Sequence, residues 1–166
     1  YGKKIDAFMP IEAGGVNSML PIAACARLGL PLVDCDGMGR AFPELQMVTF
    51  TIGGGSATPM AMVDEKGNSC IFRTVTNKWT EELARAVTMS CGGSVSICLY
   101  VMTGAQMKQY SVKNIVTRCQ TLGKAIRMAK NSTAQTPEEY FLEVSEGYKL
   151  FKGKIADVLR ETRGAF

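Results

Sequence analysis

Residues 29–44 read Gly-Leu-Pro-Leu-Val-Asp-Cys-Asp-Gly-Met-Gly-Arg-Ala-Phe-Pro-Glu, and this string constrains the fold most. Its apolar part is too short for a helix and is bounded by glycine on both sides. It reads as a short buried strand, Pro31 to Asp36, that must end in a sharp turn. The segment before it has helical spacing. Leu20, Ala24 and Leu28 share one face, Asn17 or Ser18 stands where a cap is needed, and Pro21 lies in the first turn, where a missing N–H costs little. Gly29 supplies the helix exit. Helix, apolar strand and glycine-rich loop in that order form half of an α/β unit.

The rest of the chain alternates in the same way. Ile5 to Glu12 is extended and is closed by Gly14-Gly15. Met47 to Ile52, Met60 to Val63 and Cys70 to Val75 are strand-like, the last two joined by the turn Glu65-Lys66-Gly67-Asn68. Lys78 to Met89 has helical spacing at Leu83, Ala86 and Val87; Gly92-Gly93 ends it, and Ser94 to Met102 is a continuous apolar strand. Ser111 is placed to cap a long helix through Lys130, with Ile115, Cys119, Leu122, Ile126 and Ala129 facing inward. An interhelical loop, residues 131–136, precedes a last helix opened by Thr136-Pro137-Glu138-Glu139. The expected class is α/β, a mixed sheet with flanking helices and β-hairpins.

A chain of 166 residues fits one domain and buries a core without staples. It contains no histidine, which removes Ser/His/Asp and Cys/His nucleophiles, histidine-ligated zinc and an imidazole base. Acid–base work then falls to carboxylates, Lys, Tyr or Cys. The six cysteines form no CxxC pair and lie mostly in apolar stretches, so reduced thiols in a cytoplasmic protein are expected. The net charge of +4 is spread through the chain without a basic block, which argues against nucleic acid. No apolar run reaches eighteen residues, and the amino end lacks a signal-peptide core, so neither membrane nor secretion is indicated. The chain starts without Met and ends just after a strand-like stretch, and is expected to be a piece of a longer protein.

The densest polar cluster, Asp34 to Glu44, directly follows the apolar strand. Ligands of open α/β sheets bind there, beyond the carboxyl ends of strands. Asp34 and Asp36 are two apart, so in a strand they share a face, and two close carboxylates raise one pKa or recruit a cation. An oxygen-only set fits magnesium or calcium, so a divalent metal at Asp34/Asp36 is one expectation. Gly37 and Gly39 let the backbone turn and approach a ligand, Arg40 offers a planar fork to a carbonyl or carboxylate, and Glu44 follows Pro43. Glu12 and Asn17 flank the Gly14-Gly15 turn near the same edge. These residues also have structural readings: Asp34 and Asp36 as turn caps, Arg40 paired with one of them, and Asn17 as a helix cap. Gly53-Gly54-Gly55-Ser56 offers amides to an anion but lacks any nucleotide-loop spacing and reads as a turn. Cys91 lies near a helix end, where the dipole disfavours a thiolate.

The runs Glu12-Ala-Gly-Gly-Val-Asn17 and Gly29 through Asp34-Cys-Asp-Gly-Met-Gly-Arg-Ala-Phe-Pro-Glu44-Leu-Gln46 resemble the S-methyl thiohydantoin desulfurase domain family, whose members often accompany hydantoinase/oxoprolinase proteins. Weaker likeness continues through Gly67-Asn68, Glu82-Leu-Ala-Arg85 and Gly92-Gly93 to Gly123 through Ala129. The resemblance implies that residues 1–150 are the later part of the family's amino-terminal α/β domain. Residues 151–166 would then start the connection to a β-rich carboxyl-terminal domain. It also implies release of methanethiol from an S-methyl thiohydantoin ring, by attack of water on an amidine-like carbon. On that reading Asp36 or Glu44 activates the water and Arg40 holds a ring carbonyl, while Glu12, Asn17, Asp34, Gly37 and Gly39 bind the ring. The alternative is a metabolite-binding or accessory domain beside a hydantoinase/oxoprolinase partner; a third reading is magnesium-dependent phosphoryl chemistry at Asp34/Asp36. A homo-oligomer is expected.

Overall fold

The computed structural model describes residues 4–131 and 135–161. The extreme ends, residues 1–3 and 162–166, and Ser132, Thr133 and Ala134 of the expected interhelical loop lie outside the described residues. Two compact units are present, Tyr1–Ile115 and Val116–Phe166.

In the first unit the extended amino segment bridges Phe8 in parallel to Leu32, with Val33 donating to the Phe8 carbonyl at 2.8 Å. Helix α1, Met19–Leu28, ends at Gly29 in the left-handed region (φ 65°), as its sequence requires. Its expected inner face is not the buried one: Leu20 and Leu28 are more than half exposed, and Cys25 is the buried residue. The helix has only a narrow surface to cover, and Cys25 Sγ meets the Pro31 carbonyl at 3.5 Å.

The expected strand over Pro31 to Asp36 contracts to β1, Cys35–Asp36, antiparallel to β5, Val112–Lys113. Met47 to Ile52 is not a strand. It is a loop followed by one helical turn, α2, Thr49–Ile52. The β-branched residues there are overruled by the glycines that follow, whose amides fold back onto the Thr49, Thr51 and Phe50 carbonyls at 3.0, 3.0 and 2.8 Å. A Cβ on Gly53 would lie 2.4 Å from the Tyr110 ring, so only glycine allows this approach.

Strands β2, Met60–Val63, and β3, Ser69–Phe72, form the expected hairpin, its turn held by Asp64 accepting the Lys66 and Asn68 amides. Strand β4, Ser96–Cys98, lies antiparallel on the other edge of β2, giving the order β3-β2-β4. Helix α3, Asn77–Ser90, is capped by Thr76 and adds Ala84 to a core with Met60 and Met62. Only three residues of the expected strand Ser94 to Met102 are in β4. A helix not expected, α4, Gly104–Tyr110, begins at the capping box of Thr103 and Gln106. Ser111 ends α4 instead of starting the long helix. A second core joins Val48, Phe50, Ala57 and Tyr100, with the Phe50 and Tyr100 rings 5.6 Å apart.

Helix α5, Ile115–Ala129, leads into the second unit, where α6, Pro137–Ser145, starts at the Thr136–Glu139 capping box with Pro137 in its first turn. Arg118 donates to the Ser145 carbonyl at 3.0 Å. Within α5, Ala125 and Ala129 are buried, whereas Cys119 and Ile126 of the expected inner face are exposed. Residues 147–161 carry no regular secondary structure.

The class is mixed α/β, with six helices and two small sheets among the described residues. Among the described residues one continuous mixed sheet does not form: the ladders are antiparallel, and parallel pairing is confined to the Phe8–Leu32 bridge. Among the described residues no helix is long and apolar enough to cross a membrane.

Candidate functional site

Asp36 closes β1 and is fully buried. Its Oδ1 accepts the Met38 and Gly39 amides at 3.1 and 2.7 Å, which turns the chain into a loop with Gly39 at φ 75°. Its Oδ2 is buried without a hydrogen bond of ordinary geometry. Burial pushes the Asp36 carboxyl up. The amides of Gly39, Met38 and Ala13 oppose that shift, and the charge of Glu12 adds to it. Gly37 is needed for packing, since a Cβ there would lie 2.9 Å from the Phe50 ring and 3.0 Å from Val48.

Glu12 is buried and turns inward. Its two carboxylate oxygens accept the Asn17 side-chain amide and the Phe42 backbone amide, the latter at 3.0 Å. Asn17 is therefore tied to Glu12 and does not cap α1; Ser18 holds the N-cap position without a capping bond.

The far end of the loop rests on α3. Glu81, buried, accepts the Leu45 amide at 2.8 Å and pairs with Arg85, which donates to the Pro43 carbonyl at 2.8 Å. The Tyr100 hydroxyl donates to the Leu45 carbonyl at 3.1 Å. Glu44 pairs with Lys78 at 2.8 Å and accepts from Gln46, and these bonds hold its carboxyl below the usual range. Lys78 also meets Glu82 at 3.1 Å.

Arg40, at the middle of the loop, is exposed. Its Nε donates to the Ala41 carbonyl at 3.1 Å, and it forms no ion pair among the described residues. The pairing of Arg40 with Asp34 or Asp36 does not occur. Asp34 lies just outside β1, and the charge felt by Asp36 is that of Glu12. Of the two aspartates only Asp36 belongs to the two-residue strand. Among the described residues no three His, Cys, Asp or Glu side chains are grouped to hold a metal, and Asp36 Oδ1 is already taken by two amides. Cys35, between Asp34 and Asp36, is buried 3.4 Å from the Met9 sulfur, and burial is the main force pushing its thiol up.

Three buried carboxylates thus pin one loop: Asp36 at Met38 and Gly39, Glu12 at Phe42, and Glu81 at Leu45. The loop displays Arg40 outward. Glu81, Arg85, Lys78 and Tyr100 are absent from the sequence reading of the site. Its one signal for them is the Glu82-Leu-Ala-Arg85 run, beside which Glu81 and Arg85 stand at i,i+4.

The Gly53 to Gly55 amides are all bonded internally and form no anion cradle. Cys91 is the C-cap of α3. A groove of about 550 Å³ in the second unit, lined by Ile126, Phe141, Leu142, Tyr148 and Phe151 among others, contains none of the candidate residues.

The crystal structure of a protein from Chromobacterium violaceum matches 86% of this chain with a TM-score of 0.74 and 26% identity. The chain spans 40% of that protein's length. No curated protein matches. Residues 1–74 match the family profile described as S-Me-THD-like, N-terminal domain, and residues 75–166 match S-Me-THD-like, C-terminal domain. The second match overturns the expectation that the chain is confined to the family's amino-terminal domain. Because the two profiles together cover the sequence, the chain belongs to the S-Me-THD-like family.

Proposed function

We propose that this chain takes part in hydrolytic desulfurisation of an S-methyl thiohydantoin, with the loop from Gly37 to Leu45 as its substrate-facing element. The observation that carries the reading is an exposed guanidinium, Arg40, displayed by a loop whose backbone is pinned by buried carboxylates. Such a loop orients a ring carbonyl with little ordering cost at binding.

In the reaction, water adds to the ring carbon bearing the S-methyl group, and the adjacent ring nitrogen takes up the displaced electron pair. The C–S bond then breaks, methanethiolate takes a proton, and the products are a hydantoin and methanethiol. Of the two carboxylates, Asp36 is the better base, because burial lifts its pKa toward the working range, whereas Glu44 is held ionised by Lys78. Asp36 Oδ2 accepts no hydrogen bond of ordinary geometry. Asp36 is fully buried, so the attacking water reaches it only through a local opening beside Oδ2.

The test is methanethiol release from an S-methyl thiohydantoin by the full chain, with and without a chelator. Asp36→Asn is expected to lower kcat at least about 100-fold, Arg40→Ala to raise KM about tenfold, and Glu44→Gln to act less than Asp36→Asn. Full activity of Asp36→Asn, or no release from the folded chain, would overturn the reading. Complete burial of Asp36 favours a second reading, ring binding without turnover. In that case Arg40→Ala abolishes affinity and Asp36→Asn leaves it intact.

A further inference from the structure

We propose that Glu81 and Arg85 of α3 are positioning residues for the loop that carries Arg40 and Glu44, so that the second half of the family's sequence completes a site borne by the first. The proposal rests on the desulfurase reading for its activity arm.

Lys78, Glu81, Glu82 and Arg85 stand at i, i+3, i+4 and i+7, which places them on one face of α3. Three of them reach residues 43–45: Arg85 the Pro43 carbonyl, Lys78 the Glu44 carboxylate, and Glu81 the Leu45 amide. Glu81 is 4% exposed. Burying a carboxylate is costly unless it is paired and fully bonded, and a hydrophobic contact would join helix and loop with less loss. What the ionic arrangement adds is direction, because Arg85 bridges Glu81 and a backbone carbonyl with one planar fork. The face also joins the two family profiles: residues 43–45 fall in the first, and α3 in the second.

Arg85→Lys keeps the charge but loses the fork, and Glu81→Gln keeps an acceptor for Leu45 but loses the charge. Both variants and the wild-type full chain would be compared by amide hydrogen exchange, thermal melting and methanethiol release. Exchange at residues 44–46 is expected to accelerate about tenfold in Arg85→Lys, with the β2–β3 hairpin unchanged. In the same variant kcat is expected to fall about tenfold with KM within about threefold. Faster exchange throughout the first unit, or unchanged exchange at 44–46, would overturn the proposal, as would an unaltered kcat. If the wild type releases no methanethiol, the desulfurase reading fails, and the exchange pattern alone decides whether α3 positions the loop.

Discussion

Asp36 is the residue where burial and charge conflict most sharply. Its carboxyl is pushed above the ordinary value of 3.8, so the folded state holds that proton more tightly than the unfolded chain does. The stabilisation is complete below the unfolded pKa and is lost as pH rises through the raised folded value. Asp36→Asn retains an acceptor for the Met38 and Gly39 amides and cannot ionise. Across that window the wild type should therefore lose stability relative to Asp36→Asn, by at most about 1.4 kcal/mol per pH unit. Urea unfolding of both proteins at several pH values measures this, and a constant difference would refute it. Two carboxylates on one loop were legible in the sequence. Which of them is buried was not, because burial depends on Val48 and Phe50 closing over Gly37 from another segment.

At the scale of elements, α3 decides the state of Glu44. The Lys78 ammonium and the Gln46 amide depress its pKa, so its contribution to stability is present above the ordinary value of 4.5 and lost as pH falls through the lowered one. Lys78→Ala is expected to return the Glu44 carboxyl toward that ordinary value, read by carbon NMR titration of the Glu side chains; an unmoved Glu44 would show that Gln46 alone suffices. Helix α3 itself was legible from its spacing and the hairpin from its turn residues. Met47 to Ile52 has the local composition of a strand in Val48, Thr49, Thr51 and Ile52, but Gly53 lets the Tyr110 ring approach closer than any side chain would allow, and the segment ends in a helical turn. The sequence does carry the start of α4, as Thr103 and Gln106 at capping-box spacing.

At the scale of the whole molecule, apolar side chains are distributed unevenly. Tyr148, Leu150, Phe151, Ile155 and Leu159 are each at least 83% exposed, in a stretch without secondary structure. Its basic residues, Lys149, Lys152, Lys154 and Arg160, are exposed as well. Backbone with neither ladder nor helix bonds opens at little cost, so trypsin should cut there before it cuts at Arg27 or Arg85, both inside helices. Mass spectrometry of early digestion products checks this. First cuts within α1 or α3 would mean that the terminal stretch is covered in solution.

What the sequence determined by itself is local: the Gly29 exit, the Asp64 turn, the Thr136 capping box and the glycine-rich loop after the apolar strand. Each is fixed by bonds between residues a few positions apart, so composition and spacing are enough to find them. Only the tertiary structure decided that Glu12 would hold Phe42 and Glu81 would hold Leu45, across 30 and 36 residues of chain. Nothing in a linear pattern selects such partners. They meet because the elements that carry them pack against one core, and a buried carboxylate must take the nearest amide that its neighbours leave open.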